Sequence, residues 1–336
     1  MAAPPKTREP EASKSPTRRG LSRGFAAAVG AAGIILAALP FVGGEYYTGV
    51  FTEILIYAIF ALSLGFLLGY PRLISLGHAA FFGGGAYAAG LVATRLEIAN
   101  VLVTLAAAIA FATVLAGVIG LLSLRNTGIY FLMITLALSQ LVYVVSVQWQ
   151  GLTGGSDGLT GIPYPSFFGL FELDRLPFYY FVLALALGAY FFLRAVIGSP
   201  FGQALIGIGT NEARMRAIGY DVRSYKLVSF VISGAMAGGA GALWSYHTGL
   251  VAPGDLNWTW SATGLIMVIV GGSGTLIGPM LGAALVWFLD TGLGVYTERS
   301  TMIMGAVFIV FVFFIRGGVV SVLRGIGRRI NDRSGA

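Results

Sequence analysis

The chain has 336 residues, of which 57% are hydrophobic and only 10% are charged, with a mean hydropathy of +0.83. A soluble domain of this length carries about a quarter charged residues, so the composition predicts an all-α polytopic membrane protein. The absence of cysteine excludes disulfides, thiol catalysis and cysteine-ligated metal centres. In a membrane protein the net charge of +7 informs on orientation and predicts no nucleic-acid partner.

The N-terminal residues 1–23 are rich in proline, serine and basic side chains and have almost nothing to bury. This composition predicts a disordered cytoplasmic tail, followed by a membrane domain over 24–317 and a second basic cytoplasmic tail over 318–336. The first apolar run, 25–42, is long enough to span a membrane. The sequence after it is a poor cleavage site, so we expect an uncleaved helix rather than a signal peptide.

A hydrocarbon core about 30 Å thick needs about 20 helical residues. The sequence offers about ten such windows, at 25–42, 50–69, 76–94, 99–123, 128–148, 178–197, 227–249, 259–272, 279–296 and 301–316. The eighth window is short and ends in GGSGTLIGP, and the third is rich in glycine. We therefore expect one or two of these helices to be broken or re-entrant.

Ten spans place both termini on the same side of the membrane. All but three of the 21 lysines and arginines then fall on that side, the exceptions being Arg95, Arg175 and Arg299. Basic residues that flank spans stay in the cytoplasm, so both termini are predicted to be cytoplasmic.

Several signatures of catalysis and of ion coupling are missing from the sequence. It contains no GxxxxGK[ST] phosphate-binding loop, so we expect no ATP hydrolysis by this chain. Few ionisable residues lie within the predicted spans, Glu53, His78 and Asp290 among them, which is thin support for an ion-driven carrier. No clustered acids, histidines or nucleophile indicate an enzyme, and no cofactor or metal site is predicted.

The third window contains SLGHAAFFGGGAYAAG, residues 75–90. Ala80, Gly84 and Ala88 form a stripe of small residues, which favours close helix packing in lipid. Each of the three consecutive glycines weakens a helix by about 1 kcal/mol relative to alanine. Two interpretations remain open from the pattern: tight packing around a satisfied His78, or the wall of a passage for a solute.

The seventh window carries two parallel stripes of small residues. They are Ser233, Ala237, Gly241 and Ser245 in one stripe, and Gly234, Gly238 and Ala242 in the other. Such stripes predict close packing against another helix, in this chain or in a partner subunit.

Two loops are long enough to recognise other molecules. In the inner loop, 198–226, Asn211 can cap a short helix that has Glu212 in its first turn and ends at Gly219; a solvated loop with one helical turn fits the same pattern. In the outer loop, 149–177, the run TGGSDGL predicts a turn in which Asp157 caps its own backbone.

Taken together, SLGHAAFFGGGAYAAG, TGIYFLMITLALSQ, TGGSDGLTGI, the inner loop and GGSGTLIGP resemble the LivM-type permeases of branched-chain amino-acid ABC importers. The resemblance covers roughly 45–316. It implies a permease subunit without its own ATPase, located in the bacterial inner membrane, that forms part of a path for branched-chain or related amino acids. The implied partners are a second, LivH-like permease, two ATPase subunits and an external solute-binding protein.

The resemblance also implies roles for particular residues. Glu212 and Ala213 match the start of the EAA motif that docks on the ATPase, and Gly219 matches its glycine, although Arg214 replaces a usual alanine. The expected coupling residues are Asn211, Glu212, Ala213, Arg214, Arg216 and Gly219. The expected path residues are Ser75, His78, Gly83, Gly84, Gly85 and Tyr87. The expected outer gate or docking residues are Thr153, Gly154, Gly155, Ser156 and Asp157.

Other functions stay open at this point. Permeases for urea, short amides and aromatic acids share the same motifs. A stand-alone channel or ion-coupled carrier would depend on Asp290 or Glu53, and a membrane scaffold or enzyme is not excluded by the inner loop.

Overall fold

The computed structural model describes residues 22–167 and 171–292, with short stretches between 302 and 321. Within these residues the fold is a helical bundle. The helices are α1 (Ser22–Gly69), α2 (His78–Arg95), α3 (Val101–Ser123), α4 (Ile129–Gln148), α5 (Gln150–Thr153), α6 (Arg175–Gly198), α7 (Pro200–Thr210), α8 (Glu212–Ala217), α9 (Val222–Thr248), α10 (Trp258–Gly271) and α11 (Ile277–Trp287). The strands are β1 (Leu159–Thr160), β2 (Ser166–Phe167), β3 (Phe171–Glu172) and β4 (Leu250–Val251).

Each of the first nine predicted windows overlaps a helix of the described chain, while the number of ten membrane crossings stays a prediction. Gly44, with a φ of 71°, divides α1 into two limbs. Its second limb and four further helices are long and apolar enough to cross a membrane: Gly44–Gly69, Val101–Ser123, Ile129–Gln148, Arg175–Gly198 and Val222–Thr248. This is an all-α membrane protein. Most of the predicted tenth span and most of both predicted tails lie outside the described residues.

The second limb of α1 and helix α9 form the centre of the bundle, and most of their apolar windows are buried. By contrast, α3, α4 and α6 leave most of their apolar residues exposed. A large exposed apolar surface is unfavourable in water but suits contact with lipid. The apolar surface of these three helices therefore suits contact with lipid or with another membrane subunit.

The bundle has two distinct ends. The α7–α8 end carries those two helices. The β end carries two small antiparallel sheets, in which β1 pairs with β4 and β2 pairs with β3. Basic residues of the described chain are divided unequally between the ends. Those at the α7–α8 end are Arg72, Arg125, Arg194, Arg214, Arg216, Arg223 and Lys226, and those at the β end are Arg95 and Arg175.

Helix α2 begins inside the bundle rather than at its edge. After α1 ends at Gly69, the non-helical segment 70–77 turns back towards the middle. His78, the first residue of α2, contacts Ser233 of α9. Ser233 lies about 16 Å along α9 from its start, given a rise of 1.5 Å per residue. The helix then runs to the β end.

Helix α10 has the opposite arrangement. Segment 249–257 leaves α9 at the β end and folds inward through a short 3₁₀ turn, Pro253–Leu256, that packs against α2. With 14 residues, α10 is about 21 Å long, shorter than a hydrocarbon core of about 30 Å. The two units, α1 to α2 and α9 to α10, thus run in opposite directions, and their short helices start side by side within the bundle.

Candidate functional site

Side chains from two other helices stabilise the break before α2. The Thr135 hydroxyl of α4 accepts a hydrogen bond from the Leu76 N–H at 3.3 Å. The Ser261 hydroxyl of α10 accepts one from the Ala79 N–H at 2.7 Å. A helix that starts inside a bundle exposes unpaired N–H groups, which are costly away from water. These hydroxyls satisfy them and join the starts of α2 and α10.

Ser75 and His78 are both fully buried. The Ser75 hydroxyl accepts a hydrogen bond from the Gly77 N–H at 3.1 Å. His78 Nε2 lies 2.7 Å from the Ser233 hydroxyl, which itself donates to the Ser63 carbonyl at 2.7 Å. Because the Ser233 hydrogen is engaged there, His78 donates from Nε2. The histidine thereby connects α2 to both central helices, α1 and α9.

The three glycines of α2 allow close contact in three directions. Gly83 faces the segment before α10, Gly84 faces α3, and Gly85 faces α9. A Cβ atom on Gly85 would lie 2.3 Å from the carbonyl oxygen of Gly238, which is too close for any side chain. The helix stays regular through all three positions. Tyr87 is also buried, and its hydroxyl has no partner among the described residues.

The small-residue stripes of α9 pack against α2 and α3. A Cβ on Gly241 would lie 1.8 Å from the Phe82 carbonyl oxygen of α2. Gly234 and Gly238 face the methyl groups of Ala116 and Ala112 in α3. The prediction of close helix packing is confirmed, and the packed neighbours belong to this chain.

The six residues expected to line the path therefore lie in one stretch, from Ser75 just before α2 to Tyr87 near the middle of this helix. Ser75, His78 and Tyr87 have their side chains within the chain rather than on its surface. Their contact with a solute stays a prediction.

The expected coupling residues form a separate site at the α7–α8 end. The Asn211 side chain caps α8 by accepting a hydrogen bond from the Arg214 N–H at 3.0 Å. The Glu212 carboxylate pairs with Arg216 in α8 and with Lys226 in α9. Gly219 follows the helix with a φ of 92°, a conformation that favours glycine.

Helix α8 has no buried residue, and Ala213, Arg214 and Arg216 are all exposed. The next helix, α9, is capped by Asp221, whose carboxylate accepts hydrogen bonds from the hydroxyl and the N–H of Ser224. These bonds favour the ionised form and hold the pKa of Asp221 below its ordinary value. Local hydrogen bonds thus fix the ends of the loop between the two helices, while the residues of this loop remain exposed.

The outer-loop residues form a tight turn at the β end. The Thr153 hydroxyl donates to the carbonyls of Ser146 and Trp149, at 2.6 and 2.8 Å, and Gly154 and Gly155 both adopt positive φ. Thr153 therefore holds the turn, a role that the sequence suggested for Asp157. Ser156 and Asp157 are exposed, and no side-chain hydrogen bond joins Asp157 to another described residue.

Comparisons with known proteins agree with this architecture. A family model described as "Branched-chain amino acid transport system / permease component" matches residues 46–312. The high-affinity branched-chain amino acid transport system permease protein LivM of Escherichia coli K12 is 28% identical over 87% of this chain and 74% of its own length. The probable LivM of Methanocaldococcus jannaschii is 26% identical over 78% of this chain and 79% of its own.

A more distant match is the ribose import permease protein RbsC of Escherichia coli K12, which is 27% identical over 67% of this chain and 71% of its own length. No solved structure shows a significant match. The family model covers well over half of the chain and includes α2, α10 and the inner loop. The chain belongs to the family of permease components of branched-chain amino acid transport systems, and it is a multi-pass protein of the inner membrane.

Proposed function

We propose that this chain is a permease subunit of an ATP-binding-cassette importer for branched-chain amino acids. In this proposal it pairs with a second, LivH-like permease, receives solute from an external binding protein, and is driven by two cytoplasmic ATPase subunits. Two relatives named as branched-chain amino acid permeases support the substrate class. A ribose permease among the matches indicates that similar chains serve other solutes.

The proposed orientation places the α7–α8 end and both termini in the cytoplasm. Support comes from the basic residues, seven of which lie at this end of the described bundle against Arg95 and Arg175 at the other. Basic residues near spans are retained in the cytoplasm during insertion. The β end then faces the binding protein, with Ser156 and Asp157 of the outer turn available for contact.

The proposed ATPase contact is the surface of α8 and the residues after it. Ile218 is 63% exposed and Tyr220 is 40% exposed, although they lie at an end of the bundle that meets water. Exposed apolar residues next to Arg214 and Arg216 are typical of a protein–protein contact. Together with Ala213 they support the docking role implied by the EAA-like sequence.

The observation that carries the proposal is the chain of contacts that leads from α8 through α9 to the start of α2. Lys226 of α9 is only 7% exposed, and its ammonium group pairs with Glu212 of α8. Further along α9, Ser233 hydrogen-bonds to His78 at the start of α2. A displacement of α8 by the ATPases would therefore move α9 and bias the position of α2, as alternating access requires.

Helix α7 supplies a second link to the same place. A Cβ atom on Gly209 would lie 2.0 Å from the carbonyl oxygen of Tyr70, so α7 packs directly on the segment that leads into α2. Both halves of the inner loop thus contact elements that hold the break. The two links support a mechanism in which one cytoplasmic contact controls the middle of the membrane.

Permeases for urea, short amides or aromatic acids remain alternatives within the same family, since the solute-binding protein would largely select the substrate. A stand-alone ion-coupled carrier is the alternative from another class. Glu53 and Asp290 favour it, because acids within spans often bind driving ions.

The docking proposal can be tested with a single thiol, since the natural chain contains no cysteine. Ala213→Cys places the thiol on exposed α8, and Ser156→Cys is the matched control at the β end. With a thiol–amine crosslinker in native membranes, we expect the first variant to capture an ATPase and the second to capture none. A bulky maleimide on Ala213→Cys that leaves ATP-driven uptake unchanged would overturn the docking site.

A further inference from the structure

A cavity of about 250 Å³ lies between α1, α10 and α11, beside the first turns of α10. It is separate from the buried residues at the start of α2. Its polar and aromatic lining residues come from these three helices and from the turn that follows α11. They are Tyr57, Thr259, Trp260, Thr263, Trp287 and Asp290. A volume below the range of drug-sized pockets suits a ligand the size of one amino acid.

Two acids near this cavity form no ion pair within the part of the chain that the structure describes. Asp290 is in the cavity wall, and Glu53 lies one helical turn before Tyr57. Neither acid forms an ion pair with a lysine or arginine of the described chain. Nearby Asp255 differs, because it accepts a hydrogen bond from the Trp244 indole at 3.2 Å. Asp290 is exposed, so its unpaired carboxylate is accessible to a cationic ligand group and attracts it.

Aromatic rings stand next to these acids. The Tyr57 ring meets Trp260 edge-on with centroids 5.4 Å apart and stacks on Trp244 at 5.6 Å. Ring faces attract an ammonium group, and this attraction strengthens where water is excluded. Acid and aromatic surfaces therefore favour the same kind of ligand group.

An amino acid also carries a carboxylate, which needs hydrogen-bond donors, and this cavity has several donors without a partner in the described chain. The hydroxyls of Thr259 and Thr263 form no hydrogen bond within the described chain. Trp287 is only 7% exposed, and its indole N–H has no partner among the described residues. A buried N–H without an acceptor is costly. Thr259 and Thr263 also lie in the first two turns of α10, where the helix dipole favours negative charge.

The backbone around Asp290 is also unusual. It lies in a π-helical turn, Phe288–Gly292, that follows α11. Such turns are rare and are frequent at functional sites. This turn is a second backbone irregularity next to the cavity, beside the shortened helix α10.

We propose that this cavity is a transit subsite for a zwitterionic amino acid, on the assumption that the proposed importer function holds. Asp290 receives the ammonium group, with the Tyr57 and Trp260 rings beside it. The hydroxyls of Thr259 and Thr263 receive the carboxylate. The subsite discriminates against neutral solutes such as urea, amides and sugars, which supply no charge to offset Asp290.

The test uses the complete transporter with its binding protein in vesicles, with L-leucine as the probe, and measures uptake and ATP hydrolysis together. Asp290→Asn removes the charge, Asp290→Glu keeps it, and Glu97→Gln is the control at an exposed acid of the β end. A charge-assisted hydrogen bond lost from a site of this kind lowers uptake by about tenfold or more. We expect Asp290→Asn to show that loss with ATP hydrolysis retained, and Asp290→Glu to restore uptake.

The subsite would be overturned if Asp290→Asn took up leucine at a rate within about twofold of the wild type, because the loss of one hydrogen bond has a larger effect. This result would leave the importer function standing. Absence of ATP-driven leucine uptake by the wild-type complex would instead overturn the proposed function. If Asp290→Asn does not assemble, Thr263→Val tests the same cavity by removing one free hydroxyl. It is expected to raise the half-saturating leucine concentration about fivefold, and an unchanged value would contradict the subsite.

Discussion

Single residues connect the cytoplasmic surface of this chain to its interior. Glu212 is the clearest case, since one carboxylate pairs with Arg216 within α8 and with Lys226 at the start of α9. The two pairs differ in environment: Arg216 is exposed, whereas Lys226 is nearly fully buried. Exposed pairs contribute little, while breaking a buried pair has a larger effect.

We predict that Lys226→Met uncouples ATP hydrolysis from transport. The change releases α8 from α9 without altering the exposed docking surface. Uptake per ATP hydrolysed should fall about tenfold, equivalent to about 1.4 kcal/mol of coupling free energy. The matched control, Arg223→Met, removes an exposed basic residue of α9 that forms no ion pair within the described chain, and it should retain nearly full coupling. Equal effects of the two substitutions would contradict a specific role of the α8–α9 link.

At the scale of elements, glycine decides how closely the central helices approach. Gly85 of α2 lies against the Gly238 backbone of α9, and these two helices make one of the most extensive contacts in the bundle. Gly117 of α3 has open space around its Cβ position. Adding a methyl group to a well-packed contact costs about 1–3 kcal/mol, whereas alanine is favoured over glycine in an unobstructed helix.

We therefore predict that Gly85→Ala destabilises the protein and that Gly117→Ala does not. The methyl group at position 85 would force α2 and α9 apart, while the one at position 117 meets no atom within 4 Å. Thermal unfolding of the detergent-solubilised protein, followed by tryptophan fluorescence, should show a lower midpoint for Gly85→Ala alone. Equal midpoints for the two variants would refute the close approach of α2 and α9.

At the scale of the whole molecule, the arrangement of the central helices suits a passage for a solute. Two inverted units bring short helices together within the membrane, an arrangement that suits alternating access. The sequence contains no phosphate-binding loop for ATP. In the proposed importer the energy arrives through the inner loop, and in the alternative carrier it arrives through ions at Glu53 and Asp290.

A reconstitution experiment separates these two sources. We predict that the purified chain alone in vesicles does not accumulate L-leucine, even under an imposed proton or sodium gradient. The chain together with its second permease, ATPases and binding protein should accumulate leucine when ATP is supplied. Uphill uptake by the chain alone would contradict the importer mechanism and favour the ion-coupled carrier.

The sequence alone was sufficient to predict the class of the protein and the positions of most helices. Within lipid, backbone groups must bond within their own helix, so apolar length and helix position coincide. The predicted window 128–148, for example, corresponds to α4 over Ile129–Gln148. The cap at Asn211 and the first-turn position of Glu212 could also be predicted from the sequence, because both depend on residues a few positions apart.

Contacts between distant segments could be decided only by the tertiary structure. The break before α2 is held by Thr135 and Ser261, which lie 59 and 182 residues away from their partners. His78 is a buried link rather than an exposed group because Ser233, 155 residues along the chain, faces it. In the same way, Asp290 stood out in the sequence as an isolated acid. Its position beside Tyr57 and Trp260 arises only because α1, α10 and α11 converge, and local pattern carries no information about that convergence.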